Sequence, residues 1–484
     1  MSSNWEFVRL GDHCSKIGSG ATPKGGKNVY LKSGDVALIR SQNIYNEGFK
    51  QGGLAYITNS AAEKLENVCV LAGDILLNIT GDSVARVCLA PNKYLPARVN
   101  QHVTIIRPDA NVFDSRFLRY YLSSPAQQNI LLTIASAGAT RNALTKGNIE
   151  ELKVVKPMLS VQKWIADQLE SLDRKIEVNR QINQILEQMA QALFKSWFVD
   201  FEPVKAKIAV LEVGGSQEDA TLAAMTAISG KDADALAVFE REHPEQYTEL
   251  KATAELFPSA IQDSELGEIP VGWNVLPLES ATSLIIDHRG KTPKKLGGDW
   301  SEDGYPAISA KNIKNGRLVR HDAIKYVDPE LYTKWMRDVL LSGDILMTSE
   351  APLGELLYLA NSSNYLLSQR LYGIRADNNI VSGCYLYLWL QSASAKADIN
   401  GRATGSTVVG IRQSELKKVN VMAPQKALIE SFSSLAAYYL AKIESNEKEN
   451  IALENLRDTI LPKLLSGKIT LPEAEQAISE GENV

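Results

Sequence analysis

The strongest constraint on this chain is a seam that occurs twice. Between Gln162 and Phe198, residues recur at alternating steps of four and three: Ile165, Leu169, Leu172, Ile176, Asn179, Asn183, Leu186, Ala190, Leu193, Trp197. This is the spacing of one stripe on a long helix that packs against another helix. Adding 267 to each number gives Phe432, Ala436, Tyr439, Ile443, Asn446, Asn450, Leu453, Arg457, Ile460 and Leu464, inside the second copy, Ile429–Leu465. The pair of asparagines at the middle survives the shift, and an Asn on such a stripe costs stability while fixing register and partner. Two unrelated amphipathic helices would not repeat Ile-Glu-x-Asn in register, as Ile176–Asn179 and Ile443–Asn446 do. At 1.5 Å per residue each helix would be about 55 Å long. Two of them laid antiparallel would form a rod with two ends.

The flanking segments repeat as well. Trp273 and Leu278 stand 268 residues after Trp5 and Leu10, and Thr292-Pro293-Lys294 stands 270 after Thr22-Pro23-Lys24. Lys311-Asn312-Ile313 answers Gln42-Asn43-Ile44 at 269, and Gly343-Asp344-Ile345-Leu346 answers Gly73-Asp74-Ile75-Leu76 at 270. Ser368-Gln369-Arg370 answers Asn100-Gln101-His102 at 268. Offsets that drift only from 267 to 270 indicate one unit, duplicated. The loops Lys27–Asp35 and Leu296–Gly304 do not match, which predicts one frame carrying two different surfaces. Apolar runs of strand length (Val36–Ile39, Ile75–Ile79, Val103–Ile106) alternate with a short amphipathic helix at Ser115–Ser124. The fold class expected is mixed α/β: two repeated α/β domains separated by two long antiparallel helices in pseudo-two-fold arrangement. The boundaries read as 1–158 for the first domain and 159–200 for the first long helix. Residues 201–265 read as a helical insertion and linker, the latter in the Gly- and Pro-containing stretch Ser264–Pro270. The second domain follows at 266–425, then the second long helix at 426–468 and an acidic tail at 469–484.

A chain of 484 residues needs more than one domain. With 44% hydrophobic and 23% charged residues, the composition is that of an ordinary globular protein. No apolar run reaches membrane-spanning length and the start lacks a basic-then-apolar leader, so a cytoplasmic location is expected. Cys14, Cys69, Cys88 and Cys384 are scattered, and the histidines show no ligand spacing, so neither a disulfide framework nor a metal site is expected. A net charge of −5 lends no support to nucleic-acid binding, although local patches matter more than the sum.

Catalytic motifs are missing. Gly25-Gly26-Lys27 and Gly290-Lys291-Thr292 lack the upstream Gly and the strand–loop–helix context of a phosphate-binding loop. No Asn-Pro-Pro-aromatic run for base methylation is present. Pro108-Asp109 with Glu151-Leu152-Lys153 mimics a nuclease signature, but its repeat reads Ala376-Asp377. No catalytic residues are assigned.

What remains is a set of polar and basic loop residues of the types that touch DNA. Arg and Lys bond guanine, Asn and Gln bond adenine, and Ser, Thr and backbone amides hold phosphates. In the first half these are Lys24, Arg40, Gln42, Asn43, Thr80, Arg98, Asn100, Gln101, Arg141 and Asn142. In the second they are Lys291, Lys294, Lys311, Asn312, Ser349, Gln369, Arg370, Arg402 and Thr407. The plain alternative for each is a solvated turn, and Asn43 and Asn312, shared by both copies, are equally suited to capping a loop.

The architecture resembles the specificity (S) subunit of type I restriction–modification enzymes. The resemblance covers nearly the whole chain. It rests on the Trp-x-x-x-x-Leu opening of each half, on Gly-Asp-Ile-Leu in both halves, and on the helix ending Leu193-Phe194-Lys195-Ser196-Trp197-Phe198-Val199-Asp200-Phe201. Ser264–Trp273 is similar to the family's usual entry to its second recognition domain. The resemblance implies two target-recognition domains, each reading one half of a split site in double-stranded DNA, with the helices as a ruler. It also implies docking of two methyltransferase (M) subunits and of restriction/translocase (R) subunits. Phe194 and Phe198 would offer docking positions on the helices, although Phe194 is equally suited to the core of the rod. The chain would carry no cofactor of its own; S-adenosylmethionine, ATP and magnesium would belong to the partners. The competing class is a protein-interaction scaffold of duplicated modules on a helical rod.

Overall fold

The structure, a computed structural model, describes residues 5–25, 29–137 and 142–467. Arg141, the Gly138–Thr140 loop and the acidic tail fall outside the described residues. The chain forms two compact units: one takes it up to Val178 together with the stretch from Glu449 onward, and the other is Asn179–Lys448.

In the first unit a four-stranded antiparallel sheet runs in the order Val87–Leu89, Ile75–Asn78, Val103–Pro108, Cys14–Ser19. A second sheet holds Ala55–Ile57, Val36–Ile39 and Ala97–Val99 at its middle, the last two paired in parallel. Side chains alternate across a strand, so a strand covered on both faces reads as an unbroken apolar run. Ile75–Asn78 is such a run. Leu76, beside Ile105 of its own sheet, faces Leu38 and Val99 of the second sheet. Ile75 and Leu77 face the helix Ser115–Ser123 through Phe117, Leu118 and Leu122. Glu6–Arg9 pairs with Lys153–Lys156 to close the unit.

The second unit repeats this frame. Thr282–Asp287, Leu371–Ala376, Ile345–Thr348 and Leu356–Tyr358 form the four-stranded sheet. Lys325–Val327, Tyr305–Ile308 and Leu366–Leu367 form the other, and Asn274–Pro277 pairs with Asn420–Ala423. Leu346 faces one core while Ile345 and Met347 face the other. The shared Gly-Asp-Ile-Leu has a shared use. Gly73 and Gly343 take φ +82° and +88° in the turn, and the following Asp holds an arginine of the neighbouring strand. Asp74 accepts from Arg107 at 2.7 and 2.8 Å, and Asp344 accepts from Arg375 at 2.8 and 2.8 Å.

The long helices are Leu159–Phe198 and Lys426–Leu465, forty residues each, starting at the boundaries read from the sequence and ending two and three residues short of them. In the first unit Ile165, Leu169, Leu172 and Ile176 are buried with Leu453, Ile460 and Leu464, and Arg457 donates to Asp173 at 2.8 Å. In the second, Ala190, Phe194 and Trp197 are buried with Phe432 and Ala436, and Asn446 Nδ2 donates to Asn183 Oδ1 at 2.7 Å. The partner number falls as the first rises, so the helices run antiparallel in each unit. Asn179 and Asn450 are also buried, while Leu186, Leu193 and Ile443 are half-buried. Phe194 and Phe198 are 4% and 1% exposed, packed on Tyr385 and Phe432; Phe194 takes the core place that the sequence left open for it, and the reading of Phe198 as a docking position is corrected.

Asn183 also donates to Glu447 at 2.8 Å. Replacing Asn446 alone by Leu strands a buried amide and is expected to cost about 1–3 kcal/mol. Replacing both Asn183 and Asn446 by Leu is expected to recover most of that loss, because neither polar group is then left buried without its partner. Urea denaturation of the two variants beside the unaltered chain checks this.

The insertion forms four helices, Glu202–Glu212, Gln217–Ser229, Ala233–Glu242 and Pro244–Glu255, around Ala224, Met225, Leu236 and Ala254. Lys207, on the first of them, is buried. Its Nζ donates to the carbonyls of Ala254 (3.0 Å) and Phe257 (2.6 Å), acceptors left over where the last helix ends, and burial lowers its pKa. The stretch read as a linker is a β-hairpin instead. Ile261–Ser264 pairs with Gly267–Pro270, Gly267 supplies φ +90° at the turn, and Pro270 ends the strand, where a missing N–H is tolerated. Among the described residues no helix is long and apolar enough to cross a membrane.

Candidate nucleic-acid interface

Each domain gathers its polar candidates where strands of the two sheets end. In the second domain, Tyr305–Ile308 runs into a short turn of 3-10 helix at Ala310–Asn312, and Leu366–Leu367 runs into Ser368-Gln369-Arg370. Between them lies a cleft of about 210 Å³ lined by Lys291, Thr292, Trp300, Ser309, Lys311, Lys325, Ser368 and Gln369. Lys311 and Gln369 are exposed, and Lys325 Nζ sits 5.1 Å over the Trp300 ring. Three lysines and an exposed indole in one concavity suit a phosphate backbone and a stacked base.

The candidates divide by what their side chains already hold. Asn43 and Asn312 are fully buried. The Oδ1 of Asn43 accepts from the Arg40 amide at 3.1 Å and its Nδ2 donates to Lys50 and Gly52; Asn312 does the same to Ser309, Val319 and Arg320. They cap a loop, and their reading as DNA contacts is corrected. Arg98 is corrected too. It is 6% exposed, bonded to the Ala62 and Ala97 carbonyls and ion-paired with Glu66 at the surface, so its donors are already committed. Ser349 is 2% exposed and likewise cannot reach a ligand.

Other candidates are at the surface but partly committed. Arg40 Nη2 donates to the Gly53 carbonyl at 2.5 Å, as does Gln42 Nε2 at 2.9 Å. Lys291 gives one proton to the Trp335 carbonyl at 2.9 Å, and burial lowers its pKa. Arg402 is held by Asp398 at 2.6 Å. Asn100 accepts from the His102 amide at 3.2 Å. Thr80 Oγ1 lies 2.6 Å from His102 Nδ1, while Gln101 contacts both Thr22 and His102. Arg370 is ion-paired with Glu350 at 2.8 Å. Lys24, Asn142, Lys294 and Thr407 are exposed; Thr407 lies in the loop closed by mutual Thr404–Gly410 backbone bonds.

Trp300 and Lys325 were not singled out from the sequence. The signal available for Trp300 was its place in Leu296–Gly304, one of the two loops that break the repeat. His288 was also missed. It is 7% exposed beneath Lys291, and its Nδ1 has no hydrogen-bond partner among the described residues. Burial first, and the Lys291 charge second, press its pKa down to about 4, against the opposing pull of Asp287, Asp338 and the Leu367 carbonyl. The unfolded chain then binds the extra proton more readily. His288 is expected to withdraw about 1–3 kcal/mol of stability as pH falls from about 6.5 to about 4. The His288→Gln variant should show a flatter stability–pH curve across that window.

No three His, Cys, Asp or Glu residues converge as a metal site among the described residues. The carboxylates of the nuclease-like pattern are in structural use: Asp109 accepts from the Asn111 amide and Glu151 pairs with Arg9.

Comparison with known proteins agrees with this frame. The sequence model described as type I restriction modification DNA specificity domain matches residues 2–188 and again 270–455. The Haemophilus influenzae type I restriction enzyme HindI specificity subunit is 30% identical over 96% of this chain and 100% of its own length. The Escherichia coli EcoKI specificity subunit is 23% identical over 91% of this chain and 84% of its own. The crystal structure of the type I restriction-modification S subunit from M. genitalium superimposes with a TM-score of 0.54 at 14% identity, covering 96% and 97% of the two chains. With two matched regions falling on the two copies of one duplicated frame, this chain belongs to the family of type I restriction–modification DNA specificity subunits.

Proposed function

We propose that this specificity subunit reads a split target in double-stranded DNA, one half-site per domain. The observation that carries the reading is the duplicated frame with unlike surfaces. The buried Asp–Arg pairs and loop-capping asparagines are the same in both copies. The exposed groups at the strand ends differ: Gln42 answers Lys311, Thr80 answers Glu350, and His102 answers Arg370. A forty-residue helix is about 60 Å long if straight, rather less than two turns of B-DNA at about 34 Å each. Such helices are fit to fix half-site separation. The chain acts without catalysing: two methyltransferase subunits and the restriction subunits dock on it. Those partners bring S-adenosylmethionine, ATP and magnesium.

Exchanging residues 266–425 for the matching region of a relative with another target tests this. Modified-base sequencing is expected to show one half-site replaced and the other half-site kept. A motif altered in both halves, or unaltered, would contradict the assignment of one half-site to each domain.

A further inference from the structure

The two domains place a matched pair of side chains at one position, and the pairs differ in chemistry. The Ile79 amide donates to the His102 carbonyl at 3.0 Å, and the Ser349 amide donates to the Arg370 carbonyl at 2.9 Å. The next residues, Thr80 and Glu350, each form a bridge to a loop, at Ala143 and Gly410 respectively. Thr80–His102 and Glu350–Arg370 are therefore structural equivalents. The first is a hydroxyl–imidazole contact of 2.6 Å, and the second is an ion pair of 2.8 Å.

Resting on the reading proposed above, we infer that Arg370, steered by Glu350, reads a guanine in the half-site of the second domain. The ion pair runs from Arg370 Nε to Glu350 Oε1, with side chains 49% and 37% exposed. Among the described residues neither Nη atom has a hydrogen-bonded partner. Holding the guanidinium by Nε orders the group and leaves two parallel donors, the fork that matches the O6 and N7 acceptors of guanine in the major groove. Arg370 holds φ +66°, a backbone conformation rare for residues other than glycine, at a place where the first domain's His102 does not. Its neighbour Gln369 lines the lysine cleft, where phosphate contacts by Lys311 and Lys325 would position the duplex. Arg289, also nearby, is engaged by both oxygens of Asp287.

The test uses the chain in complex with its methyltransferase subunits. Modified-base sequencing on the wild type first identifies the split motif; finding none would remove the underlying reading, and this inference with it. Given a motif, each guanine of the second half-site is replaced by 7-deazaguanine, which lacks the N7 acceptor. One position is expected to lose roughly 5- to 150-fold in affinity, the range for a bidentate base contact. The Arg370→Ala complex should bind both duplexes alike at that position, with the first half-site unaffected. Arg370→Lys, which keeps the charge but not the planar fork, should retain only part of that discrimination. Wild-type indifference to 7-deazaguanine throughout the second half-site would overturn the inference, whatever the variants do. So would unchanged discrimination in either variant.

Discussion

Replacing Asp344 by Ala is expected to destabilise the second domain by about 3–5 kcal/mol, because it leaves a partly buried arginine without its counter-charge. Asp344 is 1% exposed. It receives both Nε and Nη2 of Arg375 at 2.8 Å and the Leu341 amide at 2.8 Å, while Arg375 also donates to the Val339 carbonyl at 2.7 Å. Three donors lose their acceptor together. The first domain repeats the arrangement, with Asp74 0% exposed and accepting from Arg107 and the Leu71 amide, so Asp74→Ala is expected to cost a similar amount. Asp344→Asn keeps an oxygen acceptor and should lose less. Urea unfolding of the full chain reads the difference; a loss below 1 kcal/mol for either Ala variant would mean that these pairs do not organise the frame.

The largest functional effect is expected from Lys311→Ala combined with Lys325→Ala. Both line the cleft of the second domain, and no ion pair is found at either among the described residues. Each lysine that neutralises a phosphate adds about one to the slope of log affinity against log salt. Removing two should lower that slope by about two and weaken DNA binding by about 10- to 100-fold at 50 mM salt. The loss should be nearly uniform across sequences, since phosphate contacts position the protein and carry no base readout. A filter-binding or anisotropy titration over a salt series checks both numbers. An unchanged slope would place the duplex elsewhere on the domain.

Much of the fold was legible because duplication doubles the signal. The Asn pair of the seam repeats in register, and a stripe of that spacing has few ways to be buried other than against a second helix. The run at Ile75–Ile79 read as a strand through its apolar character, and the repeat of Gly-Asp-Ile-Leu carried that reading to Ile345–Thr348; both are strands. The hairpin at Ile261–Pro270 was missed because Gly267 and Pro270 carry the same local signal in a tight turn as in a linker.

The site was less legible, for a physical reason. Residue type shows what a side chain can bond, but not whether the protein already bonds it. Arg98 and Arg370 look alike in sequence, yet the first is buried, with a surface Glu66 as its counter-charge, while the second stands half exposed beside Glu350. Asn43 and Asn312 recur because the loop needs their amides. The groups that differ between copies carry the better signal for a reader, and Trp300 sits in such a segment.

The measurement that bears most directly on the central claim is modified-base sequencing of host DNA with and without this gene. A split motif present with the gene and absent without it is the result expected of a chain that sets the target. An unchanged modification pattern, with the gene expressed, would contradict that role and leave the duplicated domains as a scaffold for protein partners.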